Sequence, residues 1–460
     1  MLSTLSARIG RQQIRSHLRS SASHCLLSQE CGRVADKNFI TFNPLRCASQ
    51  LYPASSQSWD NAMLQAETIV GNSSDFSSLQ KWVSGEFNNI TKYLQKLIGT
   101  NHPMLETAKR CTYISEGRMG SAQARGLTVL LTARAIEDLT YYSFGSDTDK
   151  EKLIKDQTSL AEMTEITYSA YMIHRGVMDL KLSGLEAVDY DGKNANLSGQ
   201  TMDPIQAKGL HYGNKVSVLC GDFLLAYVMR GLGDLFNHRV VDLIASAISE
   251  FMEGEFLLID DWRSKNYLLS EKSRDFKRWQ QKSYATVGSL QGNTCQAALV
   301  LANIDGKLQQ NAREFGKNLG LAWRAHSELQ PFLQDTYEPI ELPEMHSYPA
   351  FDLNCLPVLL FLRESHKTEP NYRLMINEIK KLYPTSQVSA QPPIHQHKHE
   401  EAVDYSRLHQ LVVEQKTAID ESYKIIRGYS QKAVRHLDAF PPSEAKDVLV
   451  DIAESLYAKG

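Results

Sequence analysis

The sequence predicts an all-α protein, and three observations lead to this fold class. Apolar residues recur every three or four positions along two long stretches, 160–179 and 312–332, which is the period of a helix with one buried face. The alternation of apolar and polar residues that is typical of strands is almost absent. The chain has 460 residues and 42% hydrophobic content, which supports a large core beneath such helices.

Helical signals follow one another along most of the chain, and polar segments separate them. Stretches rich in Gly, Asp or Pro predict loop insertions at 180–209, 259–272 and 335–400. The predicted helices span residues 79–98, 124–135, 160–177, 215–230, 240–253, 282–303, 312–333, 405–427 and 443–457.

The N-terminal segment differs in composition from the rest of the chain. Its first 29 residues contain no acid, and serines and apolar residues alternate with Arg8, Arg11, Arg15 and Arg19. This composition is typical of a mitochondrial presequence, and the continuous apolar core of a secretory signal is missing. A disordered basic tail is the alternative. We therefore divide the chain into a presequence and linker, 1–55, and a helical domain, 56–460.

Charge and hydropathy exclude several classes of protein. The formal net charge is −3, so no strongly basic surface for nucleic acid or anionic membrane is expected. No run of eighteen apolar residues occurs, so no transmembrane helix is predicted. The longest apolar run, 216–229, contains Asp222 and predicts a core helix in which Leu219 and Leu224 are buried. The seven cysteines lack the paired spacing of metal ligands.

Residues 160–179 read LAEMTEITYSAYMIHRGVMD. They resemble the first aspartate-rich helix of the trans-polyprenyl diphosphate synthases, in which Leu-Ala-Glu-x-Thr-Glu leads to His-Asp-Asp-x-x-Asp. Arg175 and Gly176 stand where this family has its first two aspartates. The residues that match are Leu160, Ala161, Glu162, Thr164, Glu165, His174, Val177 and Asp179.

Residues 312–332 resemble the second aspartate-rich helix of the same family. There, Tyr/Phe-Gly-Lys-Asn-x-Gly-x-Ala-Phe-Gln precedes Asp-Asp-x-x-Asp, and the matching residues here are Phe315, Gly316, Lys317, Asn318, Gly320 and Ala322. The aspartate positions are held by Ser327, Glu328 and Pro331. Of these three residues, only Glu328 could still ligate a cation, and one carboxylate offers too few ligands for the Mg²⁺ site of this family.

The resemblance implies a third degenerate element, because active members bind isopentenyl diphosphate with Gly-Lys-x-x-Arg-Pro. Arg125 matches the arginine and is the candidate substrate-binding residue, whereas Ala122 and Gly126 replace the lysine and proline. The framework is better kept: GNKVSVLCGDFLLA at 213–226 is close to a family block, and the resemblance covers roughly 101–457. It implies one isoprenoid synthase-type helical bundle around a central cavity.

The missing aspartates bear directly on catalysis. In this family Mg²⁺ neutralises the charge on the departing diphosphate, and aspartates hold the metal. A cation about 4 Å from the metal position repels each unit of positive charge by roughly 4 kcal/mol at an effective dielectric of about 20. Arg175 therefore opposes a metal cluster. We expect no catalytic residue, metal ligand or cofactor in this chain, and Mg²⁺ at a catalytic partner.

Single residues near the motifs have simpler interpretations than catalysis. Arg175 is expected to pair with Asp179 within the helix, with direct binding of a substrate phosphate as the alternative. His174 is expected to be a hydrogen-bonded core residue rather than an acid or base. Asp222 is expected to cap a helix or form a hydrogen bond within the core. A solvated loop, with metal binding as the alternative, is expected for His395, His397 and His399.

The losses and the retained framework together imply a function. We expect a non-catalytic subunit of a trans-polyprenyl diphosphate synthase of decaprenyl or solanesyl type, which makes the isoprenoid side chain of ubiquinone. The expected partner is a catalytic polyprenyl diphosphate synthase subunit in a hetero-oligomer, a heterotetramer, in the mitochondrial matrix. The alternatives are an autonomous divergent prenyltransferase and a stand-alone lipid-binding or scaffold protein that reuses the fold.

Overall fold

The computed structural model of the protein describes residues 57–70, 124–140, 146–175, 204–263, 275–339, 349–365, 369–380 and 403–458, all within the unit Ile40–Gly460. Every regular element in these ranges is helical, so the all-α prediction is confirmed. The predicted presequence and linker, the helix at 79–98 and the histidine loop at 395–399 lie outside the described residues.

The described helices are numbered in chain order. Besides the α-helices there are a π-helical segment, Tyr284–Gly288, and a 3₁₀ helix, Gln330–Leu333. The α-helices are α1 (Gln57–Val70), α2 (Ala124–Arg134), α3 (Glu137–Thr140), α4 (Asp147–Arg175), α5 (Pro204–Asp234), α6 (His238–Arg263), α7 (Phe276–Ser283), α8 (Ser289–Leu301), α9 (Gly306–Leu329), α10 (Leu356–Glu364), α11 (Pro370–Lys380), α12 (Tyr405–Glu414), α13 (Lys416–Leu437) and α14 (Glu444–Ser455).

Two helices, α8 and α9, form the centre of this bundle. They pack against each other, α9 also packs against α13, and α8 contacts α2, α4 and α6. Fully buried side chains such as Phe315, Leu319 and Leu131 fill the space between them. Burial of one such side chain contributes about 1.5–3 kcal/mol relative to exposure. The hydrophobic core therefore holds in place the helices that carry the motifs.

The crossing of α8 and α9 brings their backbones into direct contact. A Cβ atom at Gly316 would collide with the carbonyl oxygen of Gln291. A Cβ atom at Gly292 would lie 2.9 Å from the carbonyl oxygen of Arg313. Glycine in the Phe-Gly-Lys-Asn segment thus permits close packing, and it does so independently of any chemistry.

Several predicted boundaries are wrong. The loop predicted at 335–400 contains α10 and α11, because its apolar run LPVLLFL forms a short buried helix that begins with a proline in its first turn. Helix α5 begins at Pro204, inside the loop predicted at 180–209. Helix α6 continues to Arg263, past the predicted loop start at 259. Pro204 is tolerated in the first turn of a helix, and Asp260 and Asp261 do not end α6.

The apolar run at 216–229, predicted as a core helix, lies only partly in the core. Among the described helices, α5 packs mainly against α4, and its opposite side carries exposed residues. Leu224 is 3% exposed, as predicted, whereas Leu219 is 66% exposed and Phe223 is exposed beside it. By length and composition alone, Asn214–Asp234 could also cross a membrane, with 28% of its most apolar window buried, but these criteria are weak evidence of a span.

Candidate functional site

The end of α4 carries the residues that replace the first aspartate cluster. Arg175 is the last residue of this helix, and its Nε lies 2.9 Å from Oε1 of Glu255 on α6. The two side chains are only 13% and 17% exposed. The Tyr171 hydroxyl donates a hydrogen bond to the same Glu255 oxygen over 2.5 Å. The Cζ atom of Arg175 also lies 5.7 Å from the centroid of the Tyr171 ring. Gly176 and Asp179 lie outside the described residues, so the pairing of Arg175 with Asp179 stays a prediction.

Aromatic side chains fill the inner face of α4 next to this ion pair. Tyr171 stacks on Phe251 of α6 with ring centroids 4.4 Å apart and planes at 23°. The small hydrophobic cluster that contains both rings is completed by Tyr168, Met172, Ala247 and Leu290. The inner face of α4 is therefore covered by the chain's own rings and by a neutralised guanidinium.

His174 joins α4 to α5. Its Nε2 lies 3.3 Å from the carbonyl oxygen of Val218 and 3.3 Å from Oδ1 of Asp222. The ring occupies the space that a side chain at Gly221 would need, so only glycine fits there. Asp222 does not lie in the core, as the sequence predicted, because its side chain is 64% exposed and faces His174.

Arg125, the candidate substrate-binding residue, is buried between α4 and α9. Its Cζ lies 3.5 Å from the centroid of the Tyr168 ring and 5.2 Å from that of Trp323, which is cation–π geometry. Glu165 accepts a hydrogen bond from the backbone N–H of Gly126 over 2.7 Å. Burial raises the pKa of Glu165 to about 7, although the Arg125 charge opposes the shift. The guanidinium therefore faces rings and a carboxyl group of its own chain.

The second motif retains one carboxylate, and three donors surround it. Oε2 of Glu328 accepts hydrogen bonds from Trp279 Nε1 and from the backbone N–H of Leu356, both over 2.8 Å. Oε1 accepts from Nε of Arg324 over 2.6 Å. Since Glu328 is buried and both oxygens are engaged, it links α7, α9 and the first turn of α10.

The other two positions of the second motif contact only the protein itself in the described residues, one by burial and the other by a hydrogen bond. Ser327 is fully buried within α9. Pro331 lies in the 3₁₀ helix, and its carbonyl oxygen accepts a hydrogen bond from Nε2 of His409 over 2.9 Å. Burial lowers the pKa of His409, so the neutral imidazole is favoured.

The two motif ends do not form a common ligand set in the described part of the chain. No group of three or more His, Cys, Asp or Glu side chains that could hold a metal ion occurs among the described residues. Two open surface grooves, of about 590 and 540 Å³, lie beside α1 and α14 rather than beside the motifs. Arg125 bridges α4 and α9 through Tyr168 and Trp323.

Sequence reasoning missed the partners of the motif residues. Glu255 and Trp279 belong to no motif, and helical periodicity does not indicate which distant residue a charge will meet. The available signal was the i, i+4 spacing of Arg324 and Glu328, which predicts their ion pair. For Arg175 the same reasoning favoured the nearby Asp179 and not Glu255.

Comparison with known proteins identifies the family. The sequence profile of the polyprenyl synthetase family matches residues 204–338. A human protein, all trans-polyprenyl-diphosphate synthase PDSS2, is 30% identical over 395 residues, which is 86% of this chain and 86% of that protein. The chain belongs to the polyprenyl synthetase family. The resemblance based on the two degenerate motifs is therefore confirmed.

Other members of the polyprenyl synthetase family extend the similarity to solved structures. A probable mitochondrial hexaprenyl pyrophosphate synthase of Neurospora crassa is 27% identical over 408 residues, 81% of this chain and 79% of that protein. The crystal structure of a polyprenyl synthase from Caulobacter crescentus, complexed with calcium and isoprenyl diphosphate, has a TM-score of 0.55 at 18% identity and covers 89% of this chain and 100% of that one. At this identity the match shows the fold, and it confirms the isoprenoid synthase class.

Proposed function

We propose that this chain is the non-catalytic subunit of a hetero-oligomeric trans-polyprenyl diphosphate synthase. The observation that carries the proposal is the ion pair between Arg175 and Glu255, which lies where the family's first aspartates would hold Mg²⁺. A fixed cation at this position repels a divalent metal, and the nearest described carboxylate already neutralises that cation. The same pattern of losses is similar to that of the non-catalytic subunit 2 of decaprenyl diphosphate synthase.

The second motif supports the same proposal. Mg²⁺ at Glu328 would compete with the hydrogen bonds that this carboxylate accepts from Trp279, Leu356 and Arg324 in a buried setting. A buried donor left without an acceptor costs about 1–3 kcal/mol. Metal binding at this end therefore works against the packing of three helices.

An exposed apolar surface on α5 and α6 supports the partnership. Large hydrophobic side chains on the outer sides of these helices are exposed, namely Val218, Leu219, Phe223, Met229, Met252 and Phe256. We call these six residues the outer apolar face. Leu219 and Phe223 are four residues apart on α5, as are Met252 and Phe256 on α6, so each pair lies on one side of its helix. Exposed apolar patches are typical of protein–protein contacts. The partner we propose is a catalytic chain of the same family with intact aspartate clusters, which binds the Mg²⁺ and performs the chemistry, in a heterotetramer.

The setting we propose is the mitochondrial matrix. The basic, acid-free composition of the first 29 residues favours import, and the Neurospora relative is named as a mitochondrial enzyme. In this setting the synthase would make the polyprenyl diphosphate that supplies the isoprenoid side chain of ubiquinone.

Reconstitution tests the proposal. The chain and an aspartate-rich homologue from the same organism are purified separately and together, and incorporation of radiolabelled isopentenyl diphosphate is measured. We expect no product from the chain alone and a higher rate from the pair than from the homologue alone. A pair with aspartates removed from the homologue is the control, and it should be inactive. Product from the chain alone, in a preparation free of the homologue, would establish an autonomous enzyme. Failure to co-purify would favour a stand-alone lipid-binding or scaffold protein.

A further inference from the structure

Two consecutive residues at the end of α4 attach to two different helices. His174 contacts α5 at Val218 and Asp222, and Arg175 contacts α6 at Glu255. The described contacts between α5 and α6 themselves are sparse, whereas α4 packs along α5. The last turn of α4 is therefore a shared point of attachment for α5 and α6.

On both attached helices the neighbouring residues face outward. Glu255 points inward to Arg175, while the next residue, Phe256, is 65% exposed. On α5, the buried Gly221 receives the His174 ring, while Leu219 and Phe223 are exposed on the other side. A shift of either inner contact would thus move part of the outer apolar face.

We propose that Arg175 and His174 are positioning residues for partner binding. They fix α5 and α6 relative to each other, so that the outer apolar face matches the helices of a second chain of the same family. The inference rests on the proposed function. It gives the substituted first motif a new role. Arg175, which stands where the family has an aspartate, forms the ion pair with Glu255 that holds α6 in place.

The physical reason is preorganisation. Association requires two surfaces to be ordered against each other, and ordering that is already present in the free chain does not reduce affinity. The Tyr171 hydroxyl and the stacked Tyr171–Phe251 rings restrict Glu255 further. Loss of the ion pair leaves the largely buried Glu255 carboxylate with the Tyr171 hydroxyl as its described donor and no described positive charge beside it, and we expect α6 to shift beside Phe256 as a result.

Charge reversal and its repair test the inference. The variants are Arg175→Glu, Glu255→Arg and the double variant, and the dissociation constant for the aspartate-rich homologue is measured for each. We expect each single variant to weaken binding by about tenfold or more, and the double variant to return to within about threefold of wild type. The matched control is Lys317→Glu, which breaks a 2.9 Å ion pair with Glu314 on α9, and it should not change the affinity.

A second measurement separates positioning from general stability. Thermal unfolding is followed for every variant, and affinity is measured at a temperature where each is fully folded. A purely structural role would lower the unfolding midpoint and leave the affinity of the folded chain unchanged. If Arg175→Glu does not fold, Arg175→Gln removes the charge without reversal and should weaken binding by about threefold.

The outcomes distinguish this inference from the proposed function. Absence of binding by the wild-type chain would overturn the proposed function. Binding by wild type, with equal affinity for the folded single variants, would overturn the positioning role and leave the partnership intact. Weakened single variants that the double variant does not repair would also overturn it, because the ion pair would not be the cause.

Discussion

The two degenerate motif ends, one on α4 and one on α9, replace missing aspartates in opposite ways. On α4 a cation stands in their place, and Glu255 from α6 neutralises it. On α9 a carboxylate remains, and Trp279, Arg324 and Leu356 donate hydrogen bonds to it. Both ends are balanced in charge by the protein itself. They differ in surroundings, because Glu328 is buried among three helical segments while the Arg175 pair reaches a partly exposed edge.

At both ends, side chains of the protein itself partner the residues that stand where the family has aspartates. These positions lie where helices converge, so each charge or hydrogen-bonding group there requires a partner. The more deeply buried end should be the more sensitive to mutation, because an unpaired group there cannot be rescued by water.

Glu328→Ala should therefore have the largest effect on stability. Its removal leaves the Trp279 and Leu356 N–H groups without this acceptor and Arg324 without its ion pair, so we expect a loss of roughly 3–5 kcal/mol in the free energy of unfolding. Urea unfolding measures it. The control is Glu314→Ala, whose partner Lys317 is partly exposed, with an expected change below about 1 kcal/mol. Equal losses for the two variants would contradict the difference in burial.

The two sides of α5 extend the comparison to packing. Leu224→Ala removes a buried side chain and should lower the free energy of unfolding by roughly 2–5 kcal/mol. Leu219→Ala removes an exposed one and should change it by less than about 0.5 kcal/mol in the isolated chain. Affinity for the homologue should respond in the reverse order. A strongly destabilised Leu219→Ala chain would show that α5 is buried in solution.

Proton binding should differ between the two ends. Burial raises the pKa of Glu165 from 4.5 to about 7 and lowers that of His326 from 6.5 to about 4. Glu165 thus stabilises the fold below pH 4.5, and this contribution is lost as the pH rises to 7. His326 destabilises it as the pH falls from 6.5 towards 4. Each contribution is about 3 kcal/mol, and the two nearly cancel across their shared window.

Two variants separate these contributions. Relative to wild type, Glu165→Gln should gain stability as the pH rises from 4.5 to 7, because the cost of ionising the buried carboxyl is removed. His326→Gln should gain relative stability as the pH falls from 6.5 to 4. Chemical unfolding at a series of pH values gives both differences. Profiles parallel to wild type for both variants would mean that neither group is buried as described.

Ligand addition should give the smallest effect. Mg²⁺ with isopentenyl diphosphate should leave the unfolding midpoint of the isolated chain unchanged, since a ligand stabilises a fold only by the free energy with which it binds. An aspartate-rich homologue under the same conditions is the positive control and should be stabilised. A saturable shift in the isolated chain would reveal a remaining diphosphate site.

The sequence predicted the helices that carry the motifs, because buried stripes such as the one containing Leu160 and Ile173 repeat at helical spacing. It also identified two positions at which the family's aspartates are replaced, Arg175 and Ser327, since these depend only on residue identity. Contacts between residues far apart in the sequence could not be predicted from it. Nothing local marks Glu255 as the partner of Arg175, eighty residues earlier in the chain.

The apolar composition of a helix did not predict which of its sides is buried, because this depends on how neighbouring helices pack against it. Leu219 and Leu224 lie in one apolar run, and only the packing of α5 on a single neighbour determines which of them is buried. The short helix α10 was missed because the surrounding segment is rich in proline and polar residues, which favoured a loop for the whole region. The spacing of apolar residues along the sequence indicates that a segment is helical, whereas the burial of each residue depends on how the helices pack together.

The backbone contact at Gly316 bears on how genomes are annotated. Glycine there is required by the α8–α9 crossing, so the Phe-Gly-Lys-Asn segment stays recognisable in a chain whose second aspartate cluster is gone. A family profile rewards such positions whether or not turnover survives. Under the proposed function, a survey that equates a match with an enzyme would wrongly count this chain among the catalysts. Inspection of the residues at 175, 176 and 327 would show whether the aspartates of the two motifs are present or whether only the fold is retained.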